Sequence, residues 1–442
     1  MDRRTVEAAQ EDAKDTPRSS PLNVLVFPCG SEVGLELYRS LRWATEVTLF
    51  GGSSASSDHG KYVYERYIGG LPFIDDPQFV EALRALVVRH RIDLIFPAMD
   101  CVATRLAEVV EQLPCRIVTS PVETCRICGS KQATYRRLAG VVRTPELFSG
   151  PEASSSWPVF LKPDCGYGSR GVAIARTPEE VAFHLKQNPS LLVLEYLPGP
   201  EYTVDCFTDR HGRLRFTGAR ERVRIRSGIS VHSRTVSSPE FTLMAEKINS
   251  ALRFRGVWFF QVKRNKDGDL TLMEVASRMA GTMALYRTLG VNFAVLSILD
   301  AIDMDVEVIC DWRNAEIDRA LESRFNLGLV YEHVYIDLED CLICEGQVNT
   351  DVVAYLFQCI NRGVRLHLIT RLGQDVANRL RCFRLDNLWD EVHSVPEHAR
   401  KSDVIRERNA IYITGSHADR VEVRKSTGLP TFTTDAVEAL WN

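Results

Sequence analysis

The sequence has no apolar run long enough to span a bilayer, so no transmembrane helix is expected. It also lacks an excess of charge of either sign. Lys and Arg number 54 and Asp and Glu 58, a net charge of −4. Without a basic surplus there is no electrostatic case for nucleic acid or an anionic membrane as partner. Internal repeats and low-complexity tracts are absent as well. The first twenty residues, MDRRTVEAAQEDAKDTPRSS, lack the apolar run of a signal peptide and read as a disordered tail. The expected location is cytoplasmic.

Cysteine, by contrast, is plentiful, with twelve residues and two C-x-x-C pairs, Cys125/Cys128 and Cys341/Cys344. A structural zinc site usually draws both pairs from one short segment. These two lie far apart, so they read as reduced thiols acting as small apolar residues.

A chain of 442 residues allows two to four domains. The N-terminal third alternates strand and helix. NVLVF, EVTLF, IDLIFPAMD and CRIVTS read as strands, and LELYRSLRWA as a helix. FVEALRALVVRH places Phe79, Leu83, Leu86 and Val87 on one helical face. This alternation predicts a parallel sheet covered on both faces. The middle differs in texture. WPVFLKP and GVAIA are short strands around a glycine loop, and TPEEVAFHLKQN has Thr177 as N-cap, Pro178 at the first helical position and Glu180 closing a capping box. LLVLEYL is a strand, and two antiparallel hairpins turn at DRHG (Asp209–Gly212) and KDGD (Lys266–Asp269). A third module, again α/β, begins near Tyr331 after the polar link DWRNAEIDRALESR. It holds the strands HVYIDLEDCLI, VRLHLITR and NAIYITG and a helix ending at Gly363. The fold class is therefore α/β and α+β multidomain.

The stretch KPDCGYGSRG spells G-x-G-x-x-G. A dinucleotide fingerprint would open a helix there, yet the strand VAIAR follows. A P-loop carries its lysine after the glycines, whereas Lys162 precedes them. A strand–loop–strand over phosphates is also the protein-kinase arrangement, but no H-R-D or D-F-G set is present. Two readings stay open on this loop alone: amides and a lysine that contact phosphate, or a plain hairpin loop.

The order of segments narrows the choice. Lys131 opens SKQATYRRLAGVVRTPE, Lys162 and the glycine loop follow, then LEYLPGPEYTVD and QVKRNKDGDLTLMEVASRMAGT. Over about Asn23 to Asp311 this order resembles the ATP-grasp superfamily, in particular the carboxylate–amine ligases related to the ATP domains of carbamoyl-phosphate synthase. The resemblance implies a Rossmann-like pre-ATP-grasp domain at 21–129 and an ATP-grasp core at 130–312, with a link at 313–330. It implies ATP and Mg2+ as cofactors. Lys131 and Lys162 match the lysines that contact nucleotide phosphates. Gly166, Gly168, Ser169 and Gly171 match the loop over the γ-phosphate, and the backbone of Glu195, Tyr196 and Leu197 the adenine hinge. Glu201 matches the ribose carboxylate, Gln261 and Glu274 the magnesium ligands, and Arg278 an arginine near the transferring phosphoryl group. The N-terminal CGSEVG loop and PAMD strand end are implied to face the same cleft. Ala276 stands where such ligases carry a metal-binding asparagine, with Ser277 or water as a substitute.

The implied reaction activates a carboxylate as an acyl phosphate, which an amine attacks to give an amide, ADP and phosphate. Amino-acid-like substrates and a homodimer are the implied partners. GARERVRIRSGISVHSRTV carries Arg220, Arg222, Arg224 and His232. Arg220 and Arg222 alternate along a predicted strand, so both face one side and are candidates to grip a substrate carboxylate; a solvated basic face is the other reading. Two further functional readings remain: a non-catalytic ATP-binding regulator, and a bicarbonate- or carbamate-phosphorylating enzyme.

The last module, 331–442, resembles the haloacid dehalogenase superfamily. Asp337 in VYIDLEDCLI matches its nucleophile, Thr370 and Lys401 its second and third motifs. Glu339 and Cys341 depart from the first motif, and Thr414 and Gly415 stand where magnesium carboxylates belong. An inactive phosphatase-like domain is expected, residual phosphatase activity being the alternative.

Overall fold

The computed structural model describes residues 20–151, 157–166, 168 and 170–441. The expected tail, apart from Ser20, lies outside the described residues. The chain divides into two compact units, the first ending at Leu321 and the second beginning at Glu322. Among the described residues, no helix is long and apolar enough to cross a membrane.

The first unit starts with a five-stranded parallel sheet: β1 (Leu22–Phe27), β2 (Val47–Gly52), β3 (Arg66–Ile68), β4 (Leu94–Pro97) and β5 (Arg116–Ile117), in the order β3-β2-β1-β4-β5. Strand β1 is central, and its side chains alternate between two cores: Val24 and Val26 in one, Leu25 and Phe27 in the other. The helix Phe79–His90 buries Phe79, Leu83, Leu86 and Val87. The first helix spans Glu32–Leu41, starting earlier than the apolar pattern predicts, because the Ser31 hydroxyl caps it by accepting from Gly34 N at 3.0 Å.

Next comes a four-stranded antiparallel sheet: β6 (Leu147–Phe148), β7 (Val159–Pro163), β8 (Ala173–Ala175) and β9 (Leu191–Glu195), in the order β6-β9-β7-β8. The glycine stretch joins β7 to β8. Gly168 and Gly171 have φ of 68° and 69°, a conformation that costs little only for glycine. Helix Pro178–Gln187 has the expected Thr177 cap, but Glu180 reaches back to Arg176 N at 2.7 Å rather than to Thr177.

The larger antiparallel sheet has six strands: β10 (Glu201–Thr208), β11 (Leu214–Arg226), β12 (Ile229–Val236), β13 (Gly256–Arg264), β14 (Leu270–Ala276) and β15 (Glu316–Asp318), in the order β14-β13-β10-β11-β12-β15. The expected link thus supplies an edge strand: Glu316 and Asp318 pair with Arg234 and His232. One face of this sheet carries Val204, Cys206, Ala219, Trp258, Phe260, Val262, Leu272 and Val275, packed on Phe241, Met244, Ala245 and Ile248 of the helix Pro239–Ala251. Phe216, Val257, Phe259 and Ala276 share a core with Val24 and Val26 of the first sheet. That common core explains why the two expected N-terminal domains form one unit.

The second unit has a parallel sheet of β16 (His333–Asp337), β19 (Arg365–Thr370), β20 (Glu391–Ser394), β21 (Ala410–Ile413) and β22 (Thr431–Phe432), in the order β20-β19-β16-β21-β22. A small hairpin, β17 (Ile343–Cys344) and β18 (Gln347–Val348), follows β16. Val334, Ile336, Leu366, Leu368, Ile411 and Ile413 pack with Val352, Tyr355, Leu356 and Cys359 of the helix Thr350–Asn361. Tyr335, Ile369, Tyr412 and Val423 belong to a separate core.

Candidate active site

Antiparallel register sets Glu274, Gln261, Thr203 and Arg220 side by side across β14, β13, β10 and β11. Directly opposed residues project to one face. Here it is the face that the helix Pro239–Ala251 does not cover. Two residues along lie Glu201 and Arg222, with Arg222 Nε 2.9 Å from Glu201 Oε1. The two expected metal-binding residues are therefore direct neighbours.

Register also slips by one residue here. Gln261 opposes Glu274 but Val262 opposes Leu272, so Met273 is an extra residue in β14. Its carbonyl, freed from the ladder, accepts from Lys162 Nζ at 3.0 Å and from Tyr135 Oη at 2.7 Å. Lys162 is only 7% exposed. Burial pushes its pKa down to about 8; Glu274 pulls it back up and Lys131 adds to the fall.

Lys131 is the first residue of the helix Lys131–Leu138, whose cap Ser130 accepts from Ala133 N at 3.1 Å. Its Nζ donates to the carbonyls of Asp164 at 3.1 Å and Gly166 at 3.5 Å. Sequence reasoning missed Asp164. Its carboxylate accepts from Ser130 Oγ at 2.8 Å and Gln132 N at 2.7 Å, tying the start of this helix to the root of the glycine loop. The only signal was an acidic residue between Lys162 and the glycines. Gly166, Gly168 and Gly171 continue that loop, while Ser169 lies outside the described residues.

At the expected adenine hinge, Glu195 Oε1 accepts from Arg143 Nη2 at 2.9 Å, Tyr196 is half-buried and Leu197 is buried. Arg143 was also not singled out; its Nε donates to Thr271 at 3.0 Å. Arg278 Nη2 donates to Asp100 Oδ2 at 2.6 Å, and its guanidinium lies 5.3 Å from the Phe259 ring centre. Asp100 closes the PAMD stretch, so this N-terminal segment does reach the Arg278 guanidinium. In the CGSEVG loop, Glu32 pairs with Arg319, and in the following turn Glu36 pairs with Arg287 at 2.7 Å.

The basic strand is arranged differently from expectation. Arg220 Nε and Nη2 grip Asp205 at 2.6 and 2.9 Å, and Nη1 donates to Thr282. Both partners are fully buried, at 1% and 0% exposure. Burial raises the pKa of Asp205 against the pull of Arg220. Arg220 is thus engaged within the sheet, because a guanidinium without water needs a carboxylate. Arg222 Nη2 donates to Gly228 O at 2.7 Å. Arg224 pairs with Asp318 at 2.8 Å and His232 lies 3.4 Å from Glu316.

Ala276 is buried opposite Phe259. The hydroxyl of Ser277, the expected substitute for a metal-binding asparagine, donates to Cys125 Sγ at 3.4 Å. Cys125 and Cys128 are free thiols whose pKa burial raises, as expected of packed apolar residues. On the open sheet face the buried Thr203 Oγ1 has no hydrogen-bond partner among the described residues. Buried polar atoms without a partner are uncommon in folded proteins, where water, an ion or a ligand meets them.

In the second unit, Asp337 ends the central strand. Its Oδ2 accepts from Lys401 Nζ at 2.6 Å, Tyr412 Oη at 2.9 Å and Thr414 Oγ1. Burial raises the Asp337 pKa, opposed by Lys401. Thr370 donates to Glu339 at 2.5 Å. Asp419, which the sequence did not suggest, lies 2.9 Å from Lys401 Nζ. Cys341 and Cys344 are free thiols.

Residues 187–320 match the model of a family described as "ATP-grasp in the biosynthetic pathway with Ter operon". A D-alanine–D-alanine ligase of Thermotoga petrophila is 30% identical over 115 residues, which is 24% of this chain; the match spans 38% of the ligase's length. Among solved structures, N5-carboxyaminoimidazole synthetase from Staphylococcus aureus, complexed with ADP, aligns at a TM-score of 0.56 and 15% identity, over 70% of this chain and 84% of that one. An L-amino acid ligase from Bacillus licheniformis aligns at 0.53 and 19% identity, over 68% and 80%. The biotin carboxylase domain of the Hydrogenobacter thermophilus 2-oxoglutarate carboxylase aligns at 0.55 and 17%, over 64% and 70%. Over the shares of the chain given, the fold is that of these ATP-grasp-like neighbours.

Proposed function

We propose that the first unit is an ATP-dependent carboxylate–amine ligase that uses Mg2+. The observation that carries this is the convergence of the Lys162 ammonium with Glu274, Gln261 and the unpartnered Thr203 hydroxyl of one sheet face. Phosphoryl transfer asks the protein for positioning and charge compensation rather than covalent help. A buried ammonium held by a main-chain carbonyl and an opposed carboxylate–amide pair supply both. Gln261 and Glu274 offer two oxygens to a magnesium ion, which neutralises phosphate charge when bound. Lys131 and Lys162 face the phosphates, the glycine loop covers them, and the backbone of Glu195–Leu197 receives the adenine. Glu201 takes the ribose, and Arg278, held by Asp100, stands at the transferring group.

In the proposed reaction the γ-phosphoryl group passes to a substrate carboxylate. The amine nitrogen then attacks the acyl carbon, the carbon–oxygen bond to phosphate breaks, and the amine proton is lost to solvent. The products are an amide, ADP and phosphate. Two similar proteins are named as ligases of amino acids, which supports amino-acid-like substrates. For gripping the substrate carboxylate we favour Arg222 over Arg220, two of whose nitrogens Asp205 already holds.

A second reading, a non-catalytic ATP-binding regulator, is favoured by Ala276 and by the engagement of Ser277 with Cys125. Phosphate release from ATP, measured against a panel of carboxylates and amines, separates the two. Pair-dependent turnover that disappears in Lys162→Ala supports the ligase. Intact nucleotide binding with no stimulated turnover favours the regulator.

We read the second unit as a haloacid dehalogenase-like domain without phosphatase activity. Asp337 already receives three donors on one oxygen, and Thr414 brings a hydroxyl where a metal would need a carboxylate. Hydrolysis of a phosphomonoester that Asp337→Asn abolishes would overturn this.

A further inference from the structure

The sheet of the second unit carries a cluster that none of the above uses. In parallel register His367 of β19 lies between Tyr335 of β16 and Glu391 of β20. Residues two apart on a strand share a face, so His333, Tyr335, His367, Glu391 and His393 all project to one side. His367 Nδ1 lies 3.4 Å from His393 Nε2 and 3.6 Å from Glu391 Oε2. His393 Nε2 lies 3.4 Å from the same carboxylate oxygen. Three lone-pair donors thus form a nearly equilateral triangle.

Those edges are long for hydrogen bonds, which centre near about 2.9 Å. They suit ligands around a single ion. Donors about 2.0–2.1 Å from a tetrahedral ion sit about 3.3–3.5 Å from each other. The surroundings fix the rings for this task. Tyr335 stacks on His367 with centroids 4.4 Å apart. His367 Nε2 lies 2.9 Å from His333 Nδ1. With Nε2 protonated and donating to His333, Nδ1 of His367 is left as a lone pair facing His393 and Glu391. His333 Nε2 in turn lies 4.0 Å from Glu407. A ligating histidine whose other nitrogen is held by a hydrogen-bonded partner is the usual outer arrangement of metal sites. Access is provided by Glu391, whose side chain is 50% exposed.

We propose that His367, Glu391 and His393 bind a divalent transition-metal ion of the zinc class, with solvent in the fourth position. Two imidazoles and one carboxylate suit zinc, cobalt or nickel and disfavour magnesium. The ion would clip the edge strand β20, four residues long, to β19.

The test uses the full chain, stripped with a chelator and titrated with Co2+ in excess Mg2+, so that all-oxygen sites are filled. One equivalent should bind with visible absorption of tetrahedral type and no thiolate charge-transfer band. Zn2+ should displace it and raise the melting temperature. Glu391→Gln and His393→Ala should each lose this binding, and His333→Ala should weaken it about 10–100-fold by freeing His367. Glu391 is half-exposed, so Glu391→Gln keeps the test valid if His393→Ala does not fold. A thiolate band, an unchanged titration in Glu391→Gln, or no saturable equivalent would overturn the proposal.

Discussion

The ammonium of Lys162 is held 3.0 Å from the carbonyl of Met273, at the point where β14 carries one residue more than β13. A regular ladder would occupy that carbonyl with its neighbour strand. The bulge turns it toward β7, and Tyr135 shares it from the helix Lys131–Leu138. Three separate elements thereby converge beside Glu274.

This contact gives the first prediction. The acceptor is main chain, so Met273→Leu should leave turnover within about twofold, whereas Lys162→Ala should abolish it. Tyr135→Phe removes one donor, leaves Lys162 in place and should cost about 0.5–1.5 kcal/mol of stability with turnover retained. Chemical denaturation and ADP release measure both. Full activity in Lys162→Ala would remove this lysine from the site.

The second prediction follows from the Lys162 pKa of about 8. Phosphate beside the amine favours its charged form, so nucleotide binding above pH 8 should take up a proton. Calorimetry at pH 8.5 in buffers of different ionisation enthalpy should show this uptake in the wild type and not in Lys162→Met. Stability carries the matching sign. Between pH 8 and the unfolded lysine value of about 10.4, the unfolded chain binds more protons than the native one. Wild-type stability should therefore rise with pH relative to Lys162→Met across that window. A difference that stays flat or falls would contradict the buried, destabilised ammonium.

These relationships mark how far sequence reasoning reaches. Apolar runs such as LNVLVF and LIFP declare themselves as buried strands, and the order of Lys131, Lys162, Glu201, Gln261 and Glu274 along the chain points to one cleft. Register does not show in a linear string. No local signal marks Met273 as an extra residue, nor Asp205, fifteen positions before Arg220, as the group that occupies it. The polar segment Glu316–Asp318 reads as a link because its strand character comes from pairing with β12 and not from its own side chains. His333, His367 and His393 become neighbours only through the order β20-β19-β16.

The Arg220–Asp205 pair yields the third prediction. Removing one member of a buried ion pair leaves an uncompensated charge, at a cost of about 3–5 kcal/mol. Arg220→Met should destabilise the first unit by about that much. Arg220→Met combined with Asp205→Leu should recover most of the loss, since no buried charge remains. A substrate-gripping Arg220 would behave otherwise: stability would hold and only the KM for the carboxylate would rise.

Arg278 and Asp100 give the fourth. A charge-assisted hydrogen bond of 2.6 Å crosses from the helix that follows β4 to the residues after β14. The Arg278 guanidinium also rests on Phe259, so loss of Asp100 should loosen its aim without expelling it. Such bonds contribute about 1.5–3 kcal/mol, equivalent to tenfold or more in rate if all of it serves positioning. Asp100→Asn keeps the shape and weakens the bond. It should lower kcat by up to about tenfold while the KM for ATP changes little, and Asp100→Glu should restore part of the rate. Equal changes in kcat and KM, or a fall in melting temperature that accounts for the lost activity, would show that Asp100 holds the fold and not the arginine.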